Sequence, residues 1–389
     1  MDSCETGCGS ASGGVCSDGF LFDCDLGDPI SLLGDCCDWS AGGWVQMGYH
    51  DQNLPLFNSR KNDYQLHQAW FYFENVADGS EGFDWGGRVD YVYGTDSQDT
   101  QAFGIANTHW DNQWDNGPDY GHALPQVYGE AAYGDFSVKA GHFYTIIGYE
   151  VVTAPDNFFY SHAYTMYNSE PFTHTGVLGT YNHSEDVTVY GGYVLGWDSG
   201  FEDNGDAFLG GSSVQLTEDV NLTNTIVAGR FADNSGGDER GIMNSLVASV
   251  QLTEKTSWII QNDLLDTEDR NGQNVRETFG VNQYLVHELS DCVSIGTRFE
   301  WWEVEADSPG LFGDNATAAA GTLAGDFDVY AITLGMNLKP HANVIIRPEI
   351  RWDWVFGDSG ELVAADFSLL DQPFDDDQTT FGIDSIILF

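Results

Sequence analysis

Near the end of the chain, ionised side chains stand at alternate positions: Arg347, Glu349, Arg351 and Asp353, with Asn343 on the same parity. Between them run Val344, Ile346, Ile350, Trp352, Trp354 and Phe356. A period of two puts the charges on one face of a β-strand and the apolar groups on the other. Arg298 and Glu300 repeat the spacing. Arg88 does so between Asp84 and Asp90, against Phe83, Trp85, Val89, Tyr91 and Tyr93. This pattern offers no nucleophile. It offers fixed charge of both signs along a wall, which orders water and sorts ions. Such charges are costly against hydrocarbon and suit a wet interior. Arg88, Arg298, Glu300, Arg347, Glu349, Arg351 and Asp353 are therefore expected to line a water-filled lumen.

A second group lies in the long connection Ile146–Pro171. It carries Phe158, Phe159, Tyr160, Tyr164 and Tyr167 beside Glu150, Asp156 and Glu170. So many rings need shelter, and the shelter at hand is the interior. The expectation is a constriction that narrows the lumen; an external lid packed on neighbouring loops is the alternative. Pro155-Asp156-Asn157 could open a short helix, with Phe159 and Tyr160 then near His162, Ala163 and Tyr164 at i, i+3, i+4. Carboxylates on this loop would face arginines on the far wall and set a transverse field. Otherwise the arginines pair with Glu300, Glu349 or Asp353 and stiffen the wall.

Other chemistry is hard to find. There is no Gly-x-Ser-x-Gly, phosphate loop, His-Glu-x-x-His or dinucleotide fingerprint, so no enzyme is expected. The acidic runs Asp203–Asp206 and Asp266–Asp269 could hold calcium but lack the spacing of a full calcium loop; solvated loops are the plainer reading. No other cofactor or metal is expected. His142, His162 and His174 read as hydrogen-bonded structural histidines. Six of seven cysteines (Cys4, Cys8, Cys16, Cys24, Cys36 and Cys37) fall in the first tenth of the chain, with Cys292 alone far away. The spacing suits no zinc site. Either a disulfide-tied segment in an oxidising compartment or a disordered Gly/Ser-rich leader fits residues 1–37. Cys292 follows a short turn on the side of the N-terminus, so a disulfide from Cys292 to an N-terminal cysteine is expected.

The elements that must position these residues are strands. The period-two segments fall near 39–49, 63–75, 83–93, 122–133, 135–145, 172–182, 187–197, 207–217, 220–232, 241–253, 256–265, 274–288, 292–304, 326–338, 342–356 and 378–389. That makes sixteen, with weak alternation at 220–232 and 274–288. Short connections such as Gly134, Glu218–Asp219 and Glu254–Lys255 alternate with long ones, as in a membrane barrel with short periplasmic turns and long external loops. Trp39, Trp44, Tyr93, Tyr133, Trp197, Trp258, Trp301, Trp302 and Trp354 sit where aromatic girdles would. The last strand alternates Phe381, Ile383, Ile387 and Phe389 with Gly382 and Asp384 and ends on its ring. No run approaches the roughly 18–20 apolar residues of a membrane helix. With 61 acidic and 13 basic residues and a net charge of −48, the chain is no partner for nucleic acid. The same excess leads to an expected cation preference.

The order Lys139-Ala-Gly-His-Phe-Tyr-Thr-Ile-Ile-Gly-Tyr-Glu150, Pro155-Asp-Asn-Phe-Phe-Tyr160, Glu170-Pro-Phe-Thr-His-Thr-Gly-Val177 resembles the OmpL-like β-barrel porin-2 family. The resemblance implies an all-β, transmembrane, up-and-down antiparallel barrel over 38–389, with residues 1–37 outside it. It implies an outer-membrane porin that passes small hydrophilic solutes by passive diffusion, in contact with outer-membrane lipid. A non-transporting surface or adhesin-like protein with cation-bridged acidic loops is the alternative, and a soluble ligand-binding β-protein a third. A homotrimer is an open option. No leader peptide is visible after Met1, so export would mean that it is absent from or removed in this sequence.

Overall fold

A computed structural model describes residues 26–30, 38–54, 56–102, 109–201, 205–234, 237–306, 325–357 and 377–389. Sixteen long strands make the wall: β1 (Ser40–His50), β2 (Gln65–Asn75), β3 (Phe83–Gly94), β4 (Tyr120–Tyr133), β5 (Phe136–Tyr144), β6 (Thr173–Ser184), β7 (Val187–Val194) and β8 (Asp206–Thr217), then β9 (Val220–Asn234), β10 (Gly237–Thr253), β11 (Thr256–Glu268), β12 (Asn274–Ser290), β13 (Val293–Ala306), β14 (Gly325–His341), β15 (Val344–Gly357) and β16 (Asp377–Leu388). Each pairs antiparallel with the next, and β16 returns to β1 from Trp44↔Leu388 to His50↔Gly382. Closure removes both edges, which a sheet in lipid requires. The last rung is the terminal residue itself. Phe389 exchanges two backbone hydrogen bonds of 3.0 Å with Gly43, and its ring lies 5.5 Å from that of Phe71.

All sixteen expected segments are strands, including the two whose alternation is weak. The β4–β5 hairpin turns on Gly134 and Asp135. Its first residue sits at φ +59°, a conformation that glycine adopts without strain. Among the described residues, two short α-helices occur in the long connections, α1 (Ser97–Thr100) after β3 and α2 (Tyr164–Asn168) after β5.

The outer face is apolar: Phe83, Trp85, Tyr133, Tyr193, Phe208, Phe356 and Ile387 are exposed. The inner face divides at mid-height. Towards the long connections the inward side chains are buried. Phe143, Leu178, Val194, Leu209, Val227, Phe231, Met243 and Leu265 form one apolar cluster with Ile147 and Trp197. Trp44, Trp70, Val92 and Ile386 form another with Val152, Met166 and Phe172. Towards the short turns the inward residues of β2–β12, such as Glu74, Tyr128, Tyr190, Ser213, Thr223 and Ser249, are half-exposed. The core of this molecule thus lies inside its barrel, towards the long connections along β2–β10 and almost down to the short turns along β13–β15, where Phe158 meets Gly296. Three tryptophans expected in the girdles belong to that core: Trp44 stacks on Trp70, and Trp197 and Trp302 are also buried inside. Trp301 and Trp354, on the other parity, are left half-buried on the outer face.

Candidate functional site in the barrel lumen

The core exists because the 146–171 connection turns inward and lies on the wall of β12–β16 and β1. Inward glycines form the seat. A Cβ at Gly296 would come 2.5 Å from the Phe158 ring, one at Gly335 2.9 Å from Phe159, and one at Gly382 2.9 Å from Tyr160. Gly48 faces Tyr160, and Gly280 faces Thr165, in the same way. Side chains at these positions would hold the loop off the wall.

The alternating charges grip the loop backbone. Arg347 donates to the carbonyls of Ala154 (2.8 Å) and Asn157 (2.7 Å), Arg351 to that of His162 (2.6 Å) and Arg298 to that of Ser161 (2.7 Å). Glu349 accepts from the N–H groups of Tyr160 (2.9 Å) and Ser161 (3.2 Å). Glu300 accepts from Tyr164 (2.8 Å) and Thr165 (3.0 Å), the first turn of α2, which has no side-chain cap of its own. Carbonyls meet guanidinium and amides meet carboxylate, so the loop's orphan backbone groups are satisfied without water.

Of the wall candidates, Arg298, Glu300, Arg347, Glu349, Arg351 and Asp353 are all buried, none more than 4% exposed. They point inward, but onto the loop and not onto water. The transverse field is corrected accordingly. Glu150 does not face Arg298 across a gap; it touches it at 2.7 Å. Arg351 pairs with Asp353 at 2.7 Å, and Arg347 with Asp384 at 2.5 Å. The physical reason is that a buried guanidinium needs a counter-charge in contact, and the loop supplies acceptors there. Arg88 is different: it is half-exposed, pairs with Glu74 (3.1 Å) and Asp90 (2.6 Å), and lies away from the loop's seat.

Among the loop candidates, Phe158 and Phe159 meet edge to face at 4.9 Å, and Arg298 sits over Phe159. The Tyr160 hydroxyl bonds His67 Nε2 at 2.6 Å, and His67 Nδ1 meets Asp96 at 2.7 Å. Tyr164 stacks on Trp302, and the Tyr167 hydroxyl accepts from the His162 N–H. Asp156 stays within its own turn, accepting from Thr153 at 2.6 Å. The helix expected to open at Pro155 is only a 3₁₀ turn, Ala154–Asp156; the α-helical turn comes later, as α2, and keeps Tyr164 of the expected residues but not Phe159, Tyr160, His162 or Ala163.

Two loop carboxylates behave oppositely. Burial works against the charge of Glu150, but Arg298, the His162 side chain and the Ala163 N–H outweigh it and hold Glu150 down to about 2. Glu170 is pushed well above the ordinary carboxyl range by burial and by the neighbouring Asp263, with Gln261 bonded to both carboxyls at 2.6 Å.

Sequence reasoning missed several partners. Arg276, on a weakly alternating strand, bonds Glu239 (2.8 Å) and the Asn168 carbonyl (2.9 Å). Gln68 donates to the Val152 carbonyl and accepts from the Ala154 N–H. The available signal was the inward parity of Gly296, Gly335 and Gly382 opposite a ring-rich loop. His142 bonds Thr175, His174 bonds Thr145 and the Gly196 carbonyl, and His162 bonds Glu150. Asp269 accepts the N–H groups of Asn271 and Gln273 in its own turn. The run Asp203–Asp206 is only partly described, and Cys4, Cys8, Cys16, Cys24, Cys36 and Cys37 lie outside the described residues. Cys292 is buried and disulfide-bonded, with a partner outside those residues as well. At the same end, the Leu26 carbonyl accepts from Ala342 and the Ile30 N–H donates to Asn343.

A closed barrel of sixteen strands, apolar outside and charged within, with a long connection folded into its lumen, defines an outer-membrane channel protein of the porin class. The chain belongs to the family described as "Putative beta-barrel porin-2, OmpL-like", which matches residues 39–389. No curated protein matches it. Among solved structures it is similar to OmpT of Vibrio cholerae in its trimer form (12% identity, TM-score 0.57, covering 90% of this chain and 99% of that one). It is similar to the anion-selective porin of Comamonas acidovorans (10% identity, TM-score 0.56, 90% and 99%). It is also similar to OmpF of Salmonella typhi, solved with daunomycin (11% identity, TM-score 0.57, 90% and 97%). At these identities the likeness is one of fold.

Proposed function

We propose that this porin passes small hydrophilic solutes by passive diffusion, and that the 146–171 loop is its constriction. The observation that carries this is the division of the lumen. A polar, half-exposed face on β2–β10 towards the short turns stands beside a loop held against β12–β16 and β1 by hydrogen bonds and ion pairs. Such contacts can be exchanged for water when the loop lifts, unlike a covalent plug. No catalytic step and no cofactor is part of the reading; loop-bound calcium at the acidic connections is a side proposal, tested by chelation. The fold neighbour OmpT is known in a trimer form, which supports a homotrimer here, to be tested by mass in detergent. Residues 1–37 are taken as a unit of the chain separate from the 38–389 barrel.

The dry outer half favours one other reading, a barrel that does not conduct and serves at the surface. Purified protein in a planar bilayer separates the two. Discrete conductance steps are expected. Their absence, in protein shown to be inserted and folded, refutes the channel.

A further inference from the structure

The buried ladder cannot touch a passing ion while the loop is seated, so discrimination must lie elsewhere. Of the basic residues on the inner face, Arg276, Arg298, Arg347 and Arg351 are buried. Arg88 on β3 and Lys139 on β5 are half-buried on the wall away from the loop's seat. Arg88 is held by Glu74 and Asp90. Lys139 has no ion pair or hydrogen bond among the described residues. Its ammonium stands 5.0 Å from the centre of the Tyr128 ring and 5.8 Å from that of Phe143.

This is odd, because Glu130 lies directly opposite Lys139 on the paired strand and is also half-exposed. Cross-strand neighbours of opposite charge can pair, yet these two form no ion pair, and the Lys139 ammonium rests against the Tyr128 ring instead. The patch is continuous over four adjacent strands. Glu74 is opposite Arg88, Arg88 is opposite Tyr128, and Glu130 is opposite Lys139. With Asp90 it holds two cations and three carboxylates, a small negative excess inside a strongly acidic chain.

Resting on the channel reading above, we infer that the Glu130–Lys139 site is the charge filter of this porin, with Arg88 fixed beside it. The filter passes small cations and holds back small anions, and Lys139 moderates that preference. Its solutes are inorganic cations and small organic ammonium or zwitterionic species, whose charged ends find Glu130 and Lys139 unpaired. The arginine ladder fixes the loop and takes no direct part.

Reversal potentials in a KCl gradient across a planar bilayer test this. Lys139→Glu reverses one charge in the patch; it should raise the cation-to-anion permeability ratio about five- to tenfold, the scale of two unit charges acting over several ångströms of water. Glu130→Gln should move the ratio the other way, and Lys139→Arg should keep the wild-type value. Lys255→Glu makes the same charge change on the exposed β10–β11 turn and should leave the ratio within about twofold, since screening is strong there. An equal shift in Lys255→Glu would mean that overall charge, not this site, sets selectivity, and would overturn the inference. So would conducting Lys139→Glu and Glu130→Gln channels with wild-type reversal potentials. A wild type that inserts but never conducts overturns the channel reading, and the filter with it.

Discussion

Neutralising Glu150 should release the 146–171 loop. The carboxylate is 7% exposed and touches Arg298, itself wholly buried, at 2.7 Å; its other oxygen accepts from the Ala163 N–H at 2.8 Å. Glu150→Gln keeps the shape but leaves a guanidinium buried without its counter-charge. Removing one partner of a buried pair costs roughly 3–5 kcal/mol. That cost applies only to the seated loop, because a lifted loop exposes Arg298 to lumen water. At about 1.4 kcal/mol per decade, the lower figure moves the seated-to-lifted ratio by roughly 10²-fold. Single-channel recording should show a larger open fraction or step size. Arg298→Gln should do the same by stranding Glu150. The double variant should recover part of the wild-type behaviour, since neither charge is then left alone. The pH dependence has a definite sign. Glu150 is held down to about 2 from 4.5, so its contribution is complete above 4.5 and is lost as pH falls through about 2. Channels of Glu150→Gln indistinguishable from wild type in conductance, open fraction and acid response would refute the account of the loop as seated by this pair.

Glu170, raised by burial and Asp263, contributes stability that is complete below 4.5 and is lost as pH rises through its raised value; alkaline pH should therefore loosen the loop, and Glu170→Gln should abolish that response in recordings between pH 6 and 10. Gly296→Val should push Phe158 off its seat, lowering thermal stability by about 1–3 kcal/mol as overpacked sites do, and raising conductance; an unchanged melting curve would contradict the seat. Single cysteines at Ser213 and Thr223 should react with a water-soluble thiol reagent, whereas one at Thr333 should react only after residues 154–168 are deleted. Non-reducing mass mapping should join Cys292 to a cysteine of residues 1–37; a free Cys292 thiol would remove that pairing.

Much of the wall was legible in the sequence because a strand in a membrane barrel reports its own two faces. Val344, Ile346, Trp352 and Trp354 lie on the outer face while Arg347, Glu349, Arg351 and Asp353 point inward, and the period of two records this locally. Short turns such as Glu218–Asp219 are equally local, so strand number and hairpin order followed from residues read in place. What the inward charges touch was not local. Arg298 meets Glu150 from 148 positions away, and Glu349 meets the Tyr160 N–H across 189. Alternation says only that a side chain points inward; it cannot say whether water or a folded loop awaits it. That choice was made by tertiary packing. Phe158, Phe159 and Tyr160 gain more by burial on Gly296, Gly335 and Gly382 than by exposure, and the ladder's charges then find peptide groups in place of solvent. Trp302 shows the same limit. Beside Trp301 in sequence, it belongs to the core only because parity turns it inward to stack on Tyr164.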